Sequence, residues 1–328
     1  MATDSSLKPE EPHITIGLTC FNAEQTIERA LRSALAQDWP DFEVVVVDDA
    51  SSDGSWKIVK EFSQRDPRVK PVHHAVNLGP AAARNTILDV ATGSIVAFFD
   101  DDDESLPERI RLQYKTLLEY EHASGNDLVA CYASGLRRYP NGYELHLPAI
   151  GSRPVVPKGE TVADYLLFNA RRVGVFYGSG TPTCALMARL SIFRAVGGFD
   201  GTFRRVEDAD FAVRLALAGG HVIGCPQQLF LQHATISSDK TSHKNLEAEL
   251  RLIEKHAGYL RHRNRYDYAR DWFHIRYYHF SGQRLKFLAA VTAFLLHYPV
   301  SGARHILRTF PSRWFHERDM RARAGGMQ

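Results

Sequence analysis

A regular alternation of apolar runs and helix-period segments fills the first hundred residues of this 328-residue chain. Runs typical of β-strands occur at residues 14–19, 42–47, 69–73 and 94–99. The segments between them carry apolar residues at the spacing of amphipathic helices. Residues 42–47 are almost continuously apolar, as expected of a strand buried on both faces. The alternation predicts an α/β fold with a mostly parallel, doubly wound sheet flanked by helices.

Polar clusters follow three of these predicted strands directly. They are Thr19–Asn22, Asp48–Asp49 and Asp100–Asp103. Because ligands of doubly wound sheets bind beyond the carboxyl ends of the strands, the three clusters are expected to border one site.

The most informative cluster is the run of four aspartates, Asp100–Asp103. Carboxylates held this close repel one another unless a cation neutralises them, and oxygen-rich acidic loops suit Mg²⁺ or Mn²⁺. The alternative is a solvated acidic loop, since charge runs are usually solvated. The position at the end of a predicted parallel strand favours the cation site.

Five further residues are candidates for chemistry. The Phe21 ring could stack on a nucleobase, and the Asp49 carboxylate could accept a hydrogen bond from it; the alternatives are a core aromatic and a turn residue. The Arg84 guanidinium matches a diphosphate, although a lone arginine usually forms a surface ion pair. Glu207 and Asp208 could form a helix cap. Asp208 becomes a catalytic candidate if the fold brings it opposite the aspartate run.

Five motifs occur in order along residues 13–235, and together they resemble a known family. They are ThrCysPheAsn, ValAspAspAlaSerSerAspGlySer, AsnLeuGlyProAlaAlaAlaArgAsn, PhePheAspAspAspAspGlu, and GlyGlyPheAsp followed by GluAspAlaAsp. The series looks like a family-two glycosyltransferase with the GT-A fold. Each motif is weak alone, but each also lies in its expected structural context.

This resemblance implies a role for each matching position. Asp208 would be the general base, supported by Glu207. A divalent cation, Mn²⁺ or Mg²⁺, would be held by Asp102, Asp103 and His233. The residues that would contact the nucleotide-sugar are Thr19, Phe21 (in place of the commoner Tyr), Asp49, Gly79, Arg84, Asp100 and Asp102.

The activity implied is metal-dependent, inverting transfer from a nucleoside-diphosphate sugar, with UDP as the default nucleotide. The acceptor would be a hydroxyl of a saccharide or lipid-linked glycan, in cell-surface polysaccharide biosynthesis. One alternative is a non-catalytic nucleotide-sugar-binding protein. Another is a sugar nucleotidyltransferase, which would normally carry a glycine-rich loop with Arg and Lys after the first strand; residues 19–24 lack one.

The last part of the chain has a different composition. Residues 251–328 carry 15 Lys and Arg against 5 Asp and Glu, whereas the whole chain has a net charge of only +2. Residues 284–296 could form an interfacial helix on an anionic membrane or a core helix packed on the catalytic domain. No nucleic-acid module is recognisable, so a nucleic acid is not an expected partner.

These patterns predict three regions: a flexible N-terminus at 1–12, a catalytic domain at 13–240 and a basic, aromatic-rich helical region at 241–328. Four widely spaced cysteines without a CxxC pair indicate a reducing compartment. The polar start predicts no signal peptide, and no apolar run reaches the roughly 18 residues of a spanning helix. We therefore expect a cytoplasmic protein, with peripheral contact on the inner face of the membrane left open.

Overall fold

A nine-stranded mixed sheet forms the centre of the molecule, which we describe for residues 11–234 and 242–309 of a computed structural model. The main path through the sheet has the order β3-β2-β1-β4-β8-β6-β9-β5, and β7 pairs with β6. The strands are β1 Ile14–Cys20, β2 Phe42–Asp48, β3 Val69–His73, β4 Ile95–Asp100, β5 Glu104–Ser105, β6 Val129–Arg138, β7 Glu144–Leu147, β8 Leu186–Arg189 and β9 His221–His233.

The first four strands form the parallel half of the sheet, so the predicted α/β architecture is confirmed. Every residue of β2 is buried, which agrees with a strand covered on both faces. In the register of β1 with its neighbours, Thr19 lies opposite both Val47 and Asp100. The three polar clusters therefore follow strands that end at the same edge.

The second half of the sheet is more mixed. β8 is antiparallel to both β4 and β6, while β6 and β9 run parallel with a register irregularity near Ser134. The sequence predicts one strand over residues 183–188. The structure instead forms a 3-10 turn at Thr183–Ala185, and the strand begins at Leu186.

Helices cover the sheet and continue into a helical layer at the C-terminal end. The helices are α1 Ile27–Leu35, α2 Ser55–Arg65, α3 Pro80–Val90, α4 Arg109–Ser124, α5 Glu160–Phe168, α6 Leu190–Ala195, α7 Glu207–Leu217, α8 Ser242–Lys255, α9 Ala257–His262, α10 Tyr266–Phe280 and α11 Arg284–His297, followed by helical residues 299–309. One cluster of buried side chains extends from β1 to Phe294 in α11, so the inner side of this layer packs on the rest of the protein.

Buried polar contacts also join the C-terminal helices to the sheet-forming part. Asp210 of α7 is fully buried and accepts hydrogen bonds from Lys255 and His256, at 2.8 and 2.9 Å. Asp164 of α5 pairs with Arg263 at 2.5 Å. Through Lys255 and His256, the helical layer thus stabilises the position of α7, the helix that carries the candidate base.

Among residues 11–234 and 242–309, no helix combines the length and apolar character that crossing a bilayer requires. The boundaries predicted at residues 12 and 240 stay predictions, because residues 1–10 and 235–241 lie outside the described part. The sequence places Ser237 and Ser238 near His233, and these two also lie outside it.

Candidate active site

A cleft of about 280 Å³ opens at the carboxyl edge of β1 and β2. Its lining includes four of the predicted nucleotide-contacting residues: Thr19, Phe21, Asp49 and Gly79. Phe21 is 48% exposed, although aromatic side chains normally bury most of their surface. A ring presented in this way can stack on a planar base.

The Asp49 carboxylate already forms hydrogen bonds within the protein. It accepts hydrogen bonds from the backbone N–H groups of Leu78 and Gly79, at 2.9 and 2.7 Å, and it lies 2.7 Å from His74 Nδ1. A carboxylate has about four lone-pair sites, so roughly one remains for a ligand. Asp49 therefore also fixes the Leu78–Gly79 loop that borders the cleft.

Arg204 is a cleft residue that the sequence analysis did not identify. It comes from the loop before α7, and its guanidinium donates to the Asn77 side chain at 2.5 Å and to the Asn77 carbonyl at 3.2 Å. A Cβ atom added to Gly79 would lie 3.5 Å from the Arg204 side chain. The loop before α7 thus places the positively charged Arg204 side chain at the edge of the predicted nucleotide cleft.

The four aspartates after β4 have different environments. Asp101 accepts the Phe21 N–H at 3.0 Å, and burial raises the pKa of its carboxyl to about 8. Burial also raises the pKa of Asp103 to about 8, with Asp100 and Asp102 adding to the effect. One Asp103 oxygen, Oδ1, is buried without a hydrogen-bond partner among the described residues. The protein alone therefore stabilises the charged form of these carboxyls poorly.

Asp100, Asp103 and Cys184 place one potential ligand atom each within 4.8 Å of one another. Burial raises the pKa of the Cys184 thiol well above its usual value, so the thiolate form is disfavoured. Hard cations such as Mg²⁺ and Mn²⁺ prefer carboxylate oxygens, and a bound divalent cation would oppose the repulsion between Asp100 and Asp103. The oxygens present therefore fit a divalent cation.

This grouping differs from the predicted ligand set. Of Asp102, Asp103 and His233, only Asp103 belongs to it. His233 Nε2 instead lies 2.7 Å from Glu104 Oε1, because β9 pairs antiparallel with β5. Asp102 contributes its backbone carbonyl to Arg29 at 2.8 Å. The roles of Asp102 and His233 as ligands stay predictions.

Arg84 links the two sides of the site. Its side chain is 9% exposed, donates a hydrogen bond to Glu207 and lies 3.8 Å from Asp100. The sequence analysis assigns Arg84 to the diphosphate, whereas its observed partners are carboxylates on α7 and at the end of β4. This bridge brings the start of α7 next to the aspartate run, which is the arrangement that the predicted base requires.

Asp208 lies in the first turn of α7. Val206 precedes the helix in a left-handed conformation with φ of 59°, which a β-branched residue rarely adopts. Asp208 Oδ1 accepts the Ala209 N–H at 2.7 Å. Burial and the charge of Glu207 raise the pKa of Asp208 to about 6. A carboxylate with such a pKa is mostly ionised at neutral pH and is a stronger base than an ordinary aspartate.

A cavity of about 70 Å³ lies beside the aspartate run. Its lining includes Gln232, which donates toward Asp103 at 3.4 Å, and Tyr132, which is 1% exposed. The Tyr132 hydroxyl has no hydrogen-bond partner among the described residues, and the charge of Asp208 contributes to its raised pKa. Buried hydroxyls normally have partners, so this one is available to a ligand. The sequence analysis identified neither Tyr132 nor Gln232.

The arrangement of strand ends, aspartate run and opposing acidic helix defines an α/β protein of the GT-A class. The Glycosyl transferase family 2 model matches residues 15–175. Over residues 15–175 the chain is similar to glycosyltransferase family 2, and the resemblance that its motifs predict is confirmed. The matched range includes the aspartate run but ends before Asp208 and His233.

Two curated relatives illustrate the extent of the similarity. EpsE of Bacillus subtilis is 28% identical over 212 residues, covering 62% of this chain and 66% of that protein. The GalNAc(5)-diNAcBac-PP-undecaprenol beta-1,3-glucosyltransferase of Campylobacter jejuni is 35% identical over 120 residues, covering 36% and 39%. The matches thus span less than two thirds of these relatives.

Among solved structures, S. aureus TarS 1-349 in complex with UDP-GlcNAc is similar with a TM-score of 0.59. The match covers 86% of this chain and 80% of that chain at 19% identity. At this identity the likeness supports the fold.

Proposed function

We propose that this protein transfers a sugar, with inversion, from a UDP-sugar to a hydroxyl of a saccharide or lipid-linked glycan in polysaccharide biosynthesis. The observation that carries the proposal is the Arg84 bridge between Glu207 and Asp100. Through it, the first turn of α7, which carries a base candidate with a pKa of about 6, lies next to the aspartate run, whose carboxylate oxygens suit a cation. Inverting transfer needs both groups around the same anomeric carbon.

The donor nucleotide would occupy the cleft at the ends of β1 and β2. The exposed Phe21 ring would stack on the base, and the remaining lone pair of Asp49 would accept a base N–H. Thr19 and Gly79 would line the ribose and diphosphate, with Arg204 adding a positive charge near Gly79. Uridine is the proposed base, and the structures of TarS in complex with UDP and with UDP-GlcNAc support this choice.

Asp208 would act as the general base. Its carboxylate takes the proton of the acceptor hydroxyl while that oxygen attacks the anomeric carbon. The bond from the anomeric carbon to the phosphate oxygen breaks, and its electron pair leaves with UDP. A single displacement of this kind inverts the configuration.

A divalent cation would be held by the carboxylates of Asp100 and Asp103, with Asp102 and His233 as the further ligands that the family resemblance implies. When bound, such a cation neutralises charge that develops on the leaving diphosphate. The protein's own contribution is a set of carboxylate oxygens, one of them the unpartnered Asp103 Oδ1.

Arg84 and Glu207 would serve as positioning residues. The buried ion pair fixes the first turn of α7 against the end of β4. Charge-assisted pairs formed by arginine are geometrically specific, so this pair holds the Asp208 side chain at a defined distance from the aspartate run.

The acceptor and the cellular location are also part of the proposal. The name of the Campylobacter relative includes an undecaprenol-linked glycan, which supports an acceptor glycan carried on a lipid. A cytoplasmic protein in peripheral contact with an anionic membrane would meet such an acceptor.

Donor binding and turnover can be tested in sequence. We expect UDP-sugars with Mn²⁺ to raise the melting temperature more than GDP- or dTDP-sugars do, and an acceptor glycan to trigger UDP release. Binding without release under every acceptor condition would support a non-catalytic binding protein. Release of pyrophosphate from UTP and a sugar phosphate would support a nucleotidyltransferase instead.

A further inference from the structure

The outer side of α11 presents a row of uncovered aliphatic side chains. Leu285, Leu288 and Leu296 are 84, 60 and 78% exposed, and their spacing places them on one side of the helix. The exposed positions between them, at 289, 292 and 293, are Ala, Thr and Ala. We call the face formed by Leu285, Leu288, Ala289, Thr292, Ala293 and Leu296 the outer face of α11.

The opposite side of the same helix is also apolar. Phe294 is buried, and Phe287, Ala290 and Val291 pack against the core. A helix that is apolar all round is normally covered all round. Here only one side is covered by described residues, and three large aliphatic groups in one row are more than scattered surface leucines.

Apart from histidines, the acidic and basic side chains within residues 272–309 are all Lys or Arg, while two carboxylates of α10, Asp267 and Asp271, act on Tyr298 just after α11. No Asp or Glu occurs from residue 272 through residue 309. Arg284 and Lys286 at the start of α11 are exposed, as are Arg304 and Arg308 in the following helical stretch. The face therefore combines apolar groups with a cationic surround.

An apolar groove of about 250 Å³ flanks α11 on the side of α10. Its lining includes Ile275, Phe287 and Val291, and most of the lining is apolar. Phe287 and Val291 belong to the inner side of α11, so this groove is separate from the outer face.

We propose that the outer face of α11 and its surrounding cations dock on the surface of an anionic phospholipid membrane. Apolar side chains beside Lys and Arg are the combination that interfacial helices use, with the leucines entering the acyl boundary and the cations contacting headgroup phosphates. A second copy of the chain is the less suitable occupant. Isologous pairing through this face would bring the cations of α11 together, and residues 272–309 contribute no carboxylate to offset them.

This inference rests on the proposed function in one respect: membrane docking would bring the active site to a lipid-linked acceptor. Membrane binding can be measured without catalysis, and transfer to a soluble acceptor can be measured without a membrane. A failure of one therefore leaves the other standing.

The first test is co-sedimentation of the full chain with vesicles of phosphatidylcholine containing 30% phosphatidylglycerol. We expect binding to these vesicles, at least about tenfold weaker binding to pure phosphatidylcholine, and a decrease as salt screens the cations. Absence of binding to the anionic vesicles at low salt would overturn the proposal.

The second test distinguishes binding through the outer face from non-specific binding of exposed apolar side chains to vesicles. The double variant Leu285→Gln/Leu296→Gln should lose roughly tenfold in vesicle binding, because two leucines no longer enter the acyl region. The matched control is Val155→Gln/Val173→Gln, which changes exposed aliphatics elsewhere and should bind as the unmodified chain does. Both variants should retain transfer to a soluble acceptor.

Two results of this test contradict membrane docking. One is vesicle binding by the leucine variant equal to that of the valine control. The other is a dimer in light scattering that the leucine substitutions convert to a monomer, which would make the outer face a contact between two copies.

Discussion

The two walls of the candidate site are built in different ways. The nucleotide wall consists mainly of residues at the ends of β1, β2 and β4 and in the loop after β3, so neighbouring parallel strands bring them together. Arg204 joins this wall from the loop before α7. The opposing wall combines Tyr132 from the middle of β6, Gln232 from the end of β9 and Asp208 from α7. Strand-end chemistry follows from local pattern, whereas the opposing wall depends on how distant segments pack.

The difference has a chemical counterpart. The nucleotide wall presents groups suited to a base and a diphosphate, which nucleotide-sugars share. The opposing wall contains the base candidate and a small cavity with an unpartnered hydroxyl. Substitutions in the opposing wall should therefore affect turnover and sugar selection while nucleotide binding persists.

Asp208→Asn is the substitution expected to have the largest effect. It removes the proton acceptor with little change in volume, so turnover should fall by roughly a hundredfold or more. The UDP affinity should stay within about twofold. Initial rates of UDP release and calorimetric titration with UDP measure the two quantities.

The exposed Asp89 in α3 offers a matched control for this charge change. Asp89→Asn should leave both quantities unchanged. Turnover of Asp208→Asn close to that of the unmodified chain would remove Asp208 from the role of base and weaken the distinction between the walls.

Arg84→Met breaks the link between the walls. Removing one partner of a buried ion pair leaves an uncompensated charge at Glu207, so the free energy of unfolding should drop by about 3–5 kcal/mol. Urea unfolding followed by circular dichroism measures this loss. The double variant Arg84→Met/Glu207→Gln should recover most of the stability but not the turnover, because α7 is no longer fixed against β4.

A structural role confined to folding would give a different pattern. In that case the double variant would regain turnover together with stability. Arg84→Lys provides an intermediate, since lysine keeps the charge but loses the planar fork, and we expect a larger decrease in kcat than increase in KM.

The pH dependence of kcat should reflect the Asp208 environment. With a pKa of about 6, the base is protonated below that pH, so kcat should fall about tenfold for each unit below 6. Glu207→Gln removes the negative neighbour that raises this pKa, and the acid limb should move to lower pH. A rate profile from pH 4.5 to 8 at saturating donor measures both. An unmoved limb in Glu207→Gln would mean that another group controls the profile.

The sequence was sufficient to predict that the strand-end residues of the nucleotide wall lie together, because this prediction depends only on local patterns. An apolar run predicts a strand, its end predicts an edge position, and the residue types at Thr19, Asp49 and Asp100 predict the chemistry. What it could not predict is that Asp49 is largely occupied by the Leu78–Gly79 backbone. That contact depends on the path of the loop between β3 and α3, which brings Leu78 and Gly79 next to Asp49.

The opposing wall was predicted only where a motif marks it. Asp208 belongs to such a motif, but nothing in the local sequence distinguishes Tyr132 from a core tyrosine. Gln232 meets the aspartate run only because β9 is thirteen residues long and ends beside β5. These positions are consequences of tertiary packing, which single-sequence pattern does not contain.

Tyr132→Phe should give the smallest effect and the most specific one. The hydroxyl has no partner among the described residues, so its removal should leave the free energy of unfolding unchanged or raise it by about 1 kcal/mol. If the hydroxyl contacts the donor sugar or the acceptor, the loss of one hydrogen bond should raise the corresponding KM by about two- to tenfold, without a change in UDP affinity.

Tyr120→Phe is the matched control. The Tyr120 hydroxyl lies 2.9 Å from His221 Nδ1, in a contact that is separate from the cavity, so this variant should lose stability and keep its KM values. Equal KM values in both variants would mean that the opposing wall selects its sugar without the Tyr132 hydroxyl.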